Sequence, residues 1–326
     1  MNSILECLRR ATGRFLSHDA DSSSAPEKLF HSVVGSIHEI CSYVADCEAL
    51  GLSKEEIVTV LEPARAIHAR SPFVQRLQNW PRGYPGDFQT IDYLCNTTPR
   101  QLDTVEQVCE WYALNCGAAQ QHRNKIQRQA EMITQTILNR DHARILILAC
   151  GSCPDLTLAA PLVADRHFDC VVNDVDQGAL QLAEDRLKII HDRLSYVLCD
   201  VFRLLSKCRR LGCFDLVLAG GLFDYLSDRQ VNFLLKRIYN HWLNPSGCLF
   251  FTNIAQNNPY RIWMEYLADW SLRERSSDDI CKLLCDAGIA ETPDVDTDAT
   301  GLALLVEVTK ERCCVKKSMR GIDCHT

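Results

Sequence analysis

The apolar positions divide the chain into two parts with different periodicities. Before residue 140 they recur every three or four residues, the spacing of amphipathic helices, as between Leu29 and Val44. Ser53-Lys-Glu-Glu56 has the form of a capping box and predicts the start of another helix. A long helical stretch is predicted from about Thr104 to Leu138, and Gly117 is a point at which it can split in two. The first part is therefore predicted to be helical.

From Arg144 onward, short β-rich runs alternate with amphipathic helical patterns. The runs cover residues 145–149, 170–173, 195–198, 216–219 and 248–252. Strands that alternate with helices predict an α/β domain, in which right-handed crossovers connect the strands of a parallel sheet. We predict a helical N-terminal cap over residues 1–140, an α/β domain over residues 141–310 and a flexible tail over residues 311–326.

Residues 71–92 interrupt the helical pattern. Two prolines and two glycines fall within Pro81–Gly86, which predicts a loop with a defined shape. Aromatic and charged residues are frequent here, and such loops often form part of a ligand pocket. We expect the segment 80–88 to close a pocket. The alternative is a tight connector in which Trp80 and Tyr84 are simply packed.

Composition narrows the possible functions. The chain has 326 residues, enough for one core and a cap, and 47% are hydrophobic and 24% charged, as in ordinary globular proteins. A run of about 18 apolar residues is absent, and the amphipathic N-terminus lacks a cleavage site, so neither membrane insertion nor a signal peptide is expected. The net charge of −7 without a basic stripe disfavours nucleic acid. A small-molecule substrate is the expected partner, and the oligomeric state stays open.

The chain contains 18 cysteines. Without an export signal, we interpret them as reduced thiols of a cytoplasmic protein. Cys150-Gly-Ser-Cys153 has the outline of a metal or redox pair, but no second pair and no spaced histidines accompany it. No metal site is therefore expected.

Two features at the start of the α/β region indicate a nucleoside site. The apolar run 145–149 leads into a tight turn at Gly151, where the backbone can approach a ligand. The full G-x-G-x-x-G pattern is absent, which disfavours a dinucleotide. Asp174 follows Gly151 by 23 residues, at the end of the next run, a position suited to ribose hydroxyls. The alternative is a loop acid or a helix cap, and Asp176 fits the cap.

Two further features follow in order. Asp200 ends the third run, where a carboxylate suits the amino group of adenine, although an ordinary loop acid is an equal alternative. The fourth run leads into Gly220-Gly221, another point of close backbone approach. Asp224 and Tyr225 come directly after this turn, and we expect them at the mouth of the crevice where such sheets bind ligands.

In this order, the four features resemble the class I S-adenosylmethionine-dependent methyltransferases over residues 120–308. The resemblance implies a Rossmann-like, mostly parallel sheet of seven strands. It also implies that the Gly151 turn holds the methionine part of the cofactor, Asp174 the ribose and Asp200 the adenine. The chain departs from the family at two positions: Ala149 stands where an acid is usual, and Cys153 where the second glycine is usual.

A narrower resemblance covers most of the chain. Three segments are similar to a bacterial subfamily that includes carboxylate methyltransferases of 3-hydroxypalmitate methyl ester biosynthesis and, more distantly, azetidine-2-carboxylate synthases. The segments are Trp80-Pro-Arg-Gly-Tyr-Pro-Gly-Asp87, Gly221-Leu-Phe-Asp-Tyr-Leu-Ser-Asp-Arg229 and Asn258-Pro-Tyr-Arg-Ile-Trp-Met-Glu-Tyr-Leu-Ala-Asp-Trp270. After the third segment, Ser271 and Glu274 replace two tyrosines of the subfamily pattern. If that segment lines the acceptor pocket, the acceptor has changed and is small, polar or absent.

These observations predict an enzyme of bacterial secondary metabolism or signalling that methylates a small-molecule carboxylate or amine. One alternative is a cyclase that converts S-adenosylmethionine into azetidine-2-carboxylate and methylthioadenosine. A second is a non-catalytic nucleoside-binding module. The candidate catalytic residues are Tyr84 and Tyr225, whose rings suit a sulfonium, and Asp87 and Asp224, whose carboxylates suit an amine.

Overall fold

The computed structural model describes residues 2–20, 25–207 and 211–311 of the chain. Except for Glu311, the predicted tail lies outside the described residues. Among the described residues, helices precede the first strand throughout. They are α1 (Asn2–Ala20), α2 (Pro26–Ala49), α3 (Lys54–His68), α4 (Pro72–Asn79), α5 (Phe88–Asn96), α6 (Val105–Asn115) and α7 (Gly117–Leu138).

Two local predictions in this helical part are confirmed. Ser53 and Glu56 form the predicted capping box at the start of α3, with Glu56 N donating to Ser53 Oγ at 3.3 Å. The long helical stretch divides at Cys116, whose backbone is extended (φ −65°, ψ 162°). Gly117 is needed directly after the break, because a Cβ there would lie 2.9 Å from the Tyr260 ring.

Seven strands form one sheet in the order β3-β2-β1-β4-β5-β7-β6. The strands are β1 (Ala143–Leu148), β2 (Phe168–Asp174), β3 (Leu194–Leu198), β4 (Phe214–Ala219), β5 (Leu243–Ile254), β6 (Asp294–Thr297) and β7 (Ala303–Thr309). The pairs among β1–β5 are parallel, and β7 runs antiparallel to both β5 and β6. The predicted Rossmann-like, mostly parallel sheet with an N-terminal helical cap is confirmed. The five apolar runs correspond to β1–β5, whereas no apolar run predicted β6 and β7.

Helices pack on both faces of the sheet and set the position of the crevice. The connecting helices are α8 (Pro154–Val163), α9 (Gln177–Arg186), α10 (Val201–Lys207), α11 (Asp228–His241) and α12 (Ser277–Asp286). From β1 the chain builds outward to β2 and β3, then returns to β4 on the other side of β1. The strand order therefore reverses between β1 and β4, and ligands bind at the carboxyl ends of strands at such a point.

The buried apolar residues form three clusters, one among the cap helices and one on each side of the sheet. The cap cluster also contains residues of a segment after β5, which includes a short π-helix, Trp263–Leu267. Conversely, the C-terminal half of α7 contributes Met132, Ile133 and Ile137 to a sheet cluster. The cap and the sheet thus share elements. Within the described residues, no helix combines the length and the apolar character needed to span a membrane.

Candidate functional site

A cavity of about 530 Å³ opens at the carboxyl ends of β1, β2 and β4, where the strand order reverses. This volume lies within the usual range for small-molecule sites. The turn after β1, the end of β2 and the Gly-Gly turn after β4 form one side of the cavity. The loop before α5 and one face of α7 form the other. The helical cap therefore supplies part of the wall.

The turn after β1 contains three residues in the left-handed region: Ala149 (φ 49°), Gly151 (φ 54°) and Cys153 (φ 52°). Glycine adopts this conformation freely, but for other residues it costs about 1–2 kcal/mol. Ala149 and Cys153, which are not glycines, therefore have strained backbone. Such strain is found most often at ligand sites. The turn lines the cavity from Ala149 to Asp155, Cys153 excepted.

Asp174 lies at the end of β2 beside this turn and lines the cavity. Its side chain accepts hydrogen bonds from Gly151 N at 2.8 Å and Asp176 N at 2.9 Å. The residue is 6% exposed, and burial raises the pKa of its carboxyl group. The structure therefore brings together Gly151 and Asp174, two of the predicted cofactor-binding residues.

The Gly-Gly turn after β4 also lines the cavity. A Cβ on Gly220 would lie 1.9 Å from Gln129 Oε1 of α7, whereas a Cβ on Gly221 would meet open space. Gly220 thus allows α7 to approach the end of β4. The predicted glycines are both present in the cavity wall, but only Gly220 is required by close packing within the chain.

Tyr84 and Tyr225, both predicted as catalytic, line the cavity. The Tyr225 hydroxyl accepts a hydrogen bond from Trp270 Nε1 at 3.0 Å. Burial raises the pKa of both phenols well above their usual value. Both therefore present neutral hydroxyls and aromatic rings at neutral pH, and neither is a phenolate base.

The other predicted acids do not line the cavity. Asp87 is buried and caps α5, accepting from Gln89 N at 2.9 Å and Thr90 N at 3.0 Å. Asp200 is exposed and accepts from Phe202 N at 2.9 Å, at the start of α10. Both carboxylates thus accept from the first turn of a helix. Helix capping is the common alternative to a ligand-binding role for an acid directly before a helix.

Asp224 points into the protein rather than to the crevice mouth. It is 1% exposed, and its carboxylate accepts from Ile254 N at 2.6 Å and from Lys125 Nζ at 3.2 Å. The short 3₁₀ turn Phe223–Tyr225 sends the neighbouring side chains in different directions, so Tyr225 reaches the cavity and Asp224 reaches α7. Asp224 therefore contacts Lys125, and Lys125 in turn lines the cavity.

Three polar residues on one face of α7 were missed by the sequence analysis: His122, Lys125 and Gln129. His122 stacks on Trp270 with centroids 5.0 Å apart, and its Nε2 is buried without a hydrogen-bond partner among the described residues. Burial lowers its pKa well below the usual value, so the imidazole is neutral. The spacing of His122, Lys125 and Gln129, three and four residues, places them on one helix face. A polar stripe of this kind normally indicates a solvent-exposed face, so the sequence did not mark them as site residues.

Asp155, at the start of α8, was also missed. The residue is 3% exposed and lines the cavity, and its Oδ1 accepts from Leu156 N at 2.8 Å. Burial raises the pKa of its carboxyl group to about 6. An acid in the first turn of a helix is so common that the sequence alone did not mark it as a site residue.

The loop before α5 reaches over the cavity. Tyr84, Pro85, Gly86 and Phe88 line it. Gly86 has φ 64°, and a Cβ there would lie 1.9 Å from the Tyr225 hydroxyl oxygen. Arg82 donates to both carboxylate oxygens of Asp176, at 2.8 and 2.6 Å, which ties the loop to the turn between β2 and α9.

Three residues singled out in the sequence lie outside the cavity wall. Trp80 is 38% exposed and ends α4. Ser271 is exposed, and Glu274 is half-buried near Asn258. Ser271 and Glu274 therefore do not contact this cavity directly.

No family model and no curated protein matches the chain. Among solved structures, a protein from Bordetella parapertussis described as a possible exported protein is 16% identical, with a TM-score of 0.57 over 95% of this chain and 97% of that one. This likeness supports the fold over nearly the whole length. The magnesium protoporphyrin IX methyltransferase of Synechocystis PCC 6803 is 12% identical (TM-score 0.45, 60% and 87% covered). An N-methyltransferase of Bradyrhizobium japonicum is 17% identical (TM-score 0.41, 58% and 98% covered).

Proposed function

We propose that the protein is an S-adenosylmethionine-dependent methyltransferase acting on a small-molecule carboxylate or amine. One observation carries the proposal. The cavity at the reversal of strand order is lined by the Gly151 turn, the buried carboxylate of Asp174 and the Gly220-Gly221 turn. The sequence order of these groups had predicted a nucleoside site, and in the fold they share one cavity.

Asp174 suits the ribose. Each of its oxygens already accepts one backbone hydrogen bond, which orients the carboxylate. A carboxylate has about four acceptor sites, so it can accept from both ribose hydroxyls as well. Asp200 is proposed to accept from the adenine amino group, since the residue is exposed after β3, the strand next to β2.

When bound, S-adenosylmethionine supplies a methyl group activated by its sulfonium, and displacement needs chiefly proximity and in-line geometry. The cavity wall offers the rings of Tyr84, Phe88 and Tyr225, which stabilise a sulfonium by cation–π contact. Because Asp87 and Asp224 lie behind the wall, we assign them positioning roles. Asp87 holds the loop at the start of α5, and Asp224 holds Lys125.

One observation favours the cyclase as a second candidate. The neutral imidazole of His122 lies in the cavity wall. A carboxylate acceptor needs no base, whereas ring closure needs the amine of the substrate to lose a proton. In that reaction the amine nitrogen bonds to its own γ-carbon, the carbon–sulfur bond breaks, and methylthioadenosine leaves with the electron pair. The amine loses its proton to water before ring closure, and the unpartnered Nε2 of His122 is the candidate hydrogen-bond acceptor that orients the neutral amine.

A non-catalytic nucleoside-binding module, the third reading, uses the same cavity without turnover. The proposal also includes a cytoplasmic location, a small-molecule partner and a role in bacterial secondary metabolism or signalling.

The deciding experiment is incubation of the purified protein with S-adenosylmethionine alone, followed by mass spectrometry of the nucleosides. The methyltransferase predicts S-adenosylhomocysteine only after a carboxylate or amine acceptor is added from a panel. Methylthioadenosine without an acceptor would establish the cyclase instead. Binding without either product would favour the module. Failure to bind S-adenosylmethionine at all would overturn the proposal.

A further inference from the structure

The turn after β1 carries two thiols that the proposed function does not use. Cys150 precedes Gly151, and Cys153 is the last residue of the turn before α8. Both are free thiols. Cys150 is 7% exposed and lines the cavity, whereas Cys153 is fully buried. A small solute that enters the cavity therefore reaches Cys150 first.

The backbone holds these two cysteines close enough for a disulfide. Cys153 N donates to the carbonyl oxygen of Cys150 at 2.9 Å, which is the i→i+3 hydrogen bond of a β-turn. The Cα atoms at the two ends of a β-turn lie less than about 7 Å apart. The Cα atoms of a disulfide lie about 4.4–6.8 Å apart, so an S–S bond between the two residues needs little movement of the chain.

The two side chains also contact each other. A hydrogen bond with Cys150, together with burial, raises the pKa of the Cys153 thiol well above its usual value. Cys153 therefore keeps its proton at neutral pH and donates toward the Cys150 sulfur. The Cys150 thiol donates in turn to the carbonyl oxygen of Gly151, at 3.4 Å. The more exposed sulfur thus has the buried thiol as its direct neighbour.

We propose that Cys150 and Cys153 form a redox modification site, in which a hydroperoxide converts the two thiols into a disulfide and thereby weakens nucleoside binding in the cavity. Cys150 reacts first: its sulfur takes one oxygen, the O–O bond breaks, and water or an alcohol leaves with the thiol proton. The Cys153 sulfur then bonds to the Cys150 sulfur, and the hydroxyl group leaves as water with the proton of Cys153. The two thiols lose two electrons, which reduce one peroxide.

Proximity makes the second step feasible although Cys153 is protonated, because both sulfurs belong to one turn and no diffusional encounter is needed. The disulfide acts on the ligand site through the same turn. An S–S bond of about 2 Å draws the Cys150 sulfur away from Gly151 and toward Cys153. Gly151 N donates to Asp174, the proposed ribose acceptor, at 2.8 Å, so a shift of the turn disturbs that acceptor.

A bound nucleoside has the converse effect, since it covers Cys150 and keeps the oxidant out. Thermodynamic linkage requires the two effects to be reciprocal: the ligand opposes the disulfide as the disulfide opposes the ligand. This coupling rests on the proposed function, whereas formation of the disulfide does not.

Mass spectrometry of one tryptic peptide reads the modification directly. No Lys or Arg lies between residues 145 and 165, so the peptide 145–166 contains Cys150 and Cys153 and no other cysteine. After hydrogen peroxide and alkylation of the remaining thiols, this peptide should lack two hydrogen atoms and carry no alkyl group. Dithiothreitol before alkylation should restore two alkylated thiols. Two alkylated thiols without dithiothreitol would overturn the proposal.

Cys153→Gly tests the role of the buried thiol. Glycine suits the left-handed backbone at this position (φ 52°), so the variant is expected to fold. Its peptide should gain oxygen at Cys150 in place of losing hydrogen, because the second thiol is missing. The double variant Cys281→Ser with Cys285→Ser removes two exposed thiols of α12 and is the control: its peptide 145–166 should be oxidised as in the unmodified protein.

Two measurements with S-adenosylhomocysteine test the coupling. The ligand at about ten times its dissociation constant should slow disulfide formation at least about fivefold. Oxidised protein should bind it about fivefold or more weakly than reduced protein, with recovery in dithiothreitol, whereas Cys150→Ala with Cys153→Gly should give the same constant before and after peroxide. Equal rates with and without ligand, or equal constants for oxidised and reduced protein, would overturn the coupling. A disulfide that forms in a protein unable to bind S-adenosylhomocysteine would refute the proposed function and support the modification site.

Discussion

At the scale of single residues, Asp174 has a structural role in the fold and the proposed role of ribose acceptor. Its two oxygens accept from the backbone of two neighbouring turns, at Gly151 after β1 and at Asp176 after β2. These bonds hold the turn after β1 against the end of β2. The same bonds orient the carboxylate toward the cavity, so a ligand meets an arranged acceptor and little ordering is required on binding.

Replacement of Asp174 by alanine should therefore raise the dissociation constant for S-adenosylmethionine at least about tenfold, because ribose hydroxyls lose a charged partner. Calorimetric titration measures this directly. Asp169→Ala removes an exposed acid of the same strand and should leave the constant within about twofold. Equal affinity in the Asp174 variant would show that the ribose is held elsewhere.

The buried carboxyl group of Asp155 makes the stability of the fold depend on pH. The pKa of its carboxyl group rises from 3.8 to about 6 because the group is buried. Between these values the folded protein retains a proton that the unfolded chain has lost, so stability falls as the pH rises from about 4 to above 6. At pH 7 the cost is about 3 kcal/mol, from 1.36 kcal/mol per pKa unit.

Asp155→Asn removes this cost and should raise the free energy of unfolding at pH 7, by up to about 3 kcal/mol, with the gain shrinking toward pH 4. Urea unfolding at pH 7 and pH 5 measures the difference. Asp165→Asn, at an exposed position, should show no such gain. A variant that is less stable at pH 7 would contradict a buried, uncompensated carboxylate.

At the scale of elements, the loop before α5 closes the cavity only if it is held in place. Arg82 and Asp176 pair at 2.6 Å across the cavity rim, and Arg186 of α9 pairs with Asp92 of α5. Ser152 of the β1 turn also donates to Asp92, at 3.2 Å. The helical cap and the sheet domain are thus joined by ionic contacts beside the cavity.

Arg82→Ala should speed dissociation of S-adenosylhomocysteine severalfold, because the loop loses the ion pair that ties it to the turn between β2 and α9. Stopped-flow displacement measures this rate. The Arg70–Asp19 pair has similar geometry, with distances of 2.7 and 2.9 Å. It joins α1 to the connection between α3 and α4, and neither residue lines the cavity. Arg70→Ala should therefore leave the rate unchanged. The same acceleration in both variants would mean that the loop is not a lid.

A substitution at Gly86 tests how closely the loop before α5 packs against Tyr225. A Cβ would meet the Tyr225 hydroxyl at 1.9 Å in a backbone with φ 64°. Gly86→Ala is expected to destabilise the protein by about 1–3 kcal/mol and to weaken ligand binding. Gly83, with φ 85° and open space around it, provides the control for backbone strain alone. Thermal unfolding should show a smaller effect for Gly83→Ala, and partial rescue of Gly86→Ala by Tyr225→Phe.

At the scale of the whole molecule, the predicted division at residue 140 does not coincide with the division of the cores. A segment after β5 packs among the cap helices, including Trp263, Met264 and Trp270, all nearly fully buried. Tyr266 of the same segment donates to Glu48 of α2 at 2.8 Å. The cap is therefore completed by residues that lie more than a hundred positions away.

This arrangement predicts that residues 141–311 do not fold without the cap. The isolated fragment would expose the apolar segment around Trp263, and such patches cause aggregation. The full-length chain should unfold in a single cooperative transition with coincident circular dichroism and tryptophan fluorescence. A soluble fragment with a native-like spectrum would instead support two independent domains.

The sequence by itself determined the features that depend on neighbouring residues. The apolar runs of β1–β5, the capping box at Ser53 and the break before Gly117 all follow from local periodicity and backbone preference. The positions of Gly151 and Asp174 at strand ends follow in the same way, because parallel strands place their carboxyl ends at one edge. Tyr84 and Tyr225 reach the cavity as predicted from the loops that carry them.

Tertiary structure decided which polar groups face the ligand. Lys125 and Asp224 are 99 residues apart, and Arg82 and Asp176 are 94 apart, so no local pattern announces either pair. The stripe on α7 resembles a solvent-exposed face until the cap and sheet enclose it. Only the fold shows that Asp87 and Asp200 lie outside the cavity wall and accept from the first turn of a helix. Burial, which gives a charge its energetic weight, arises only when distant segments pack together.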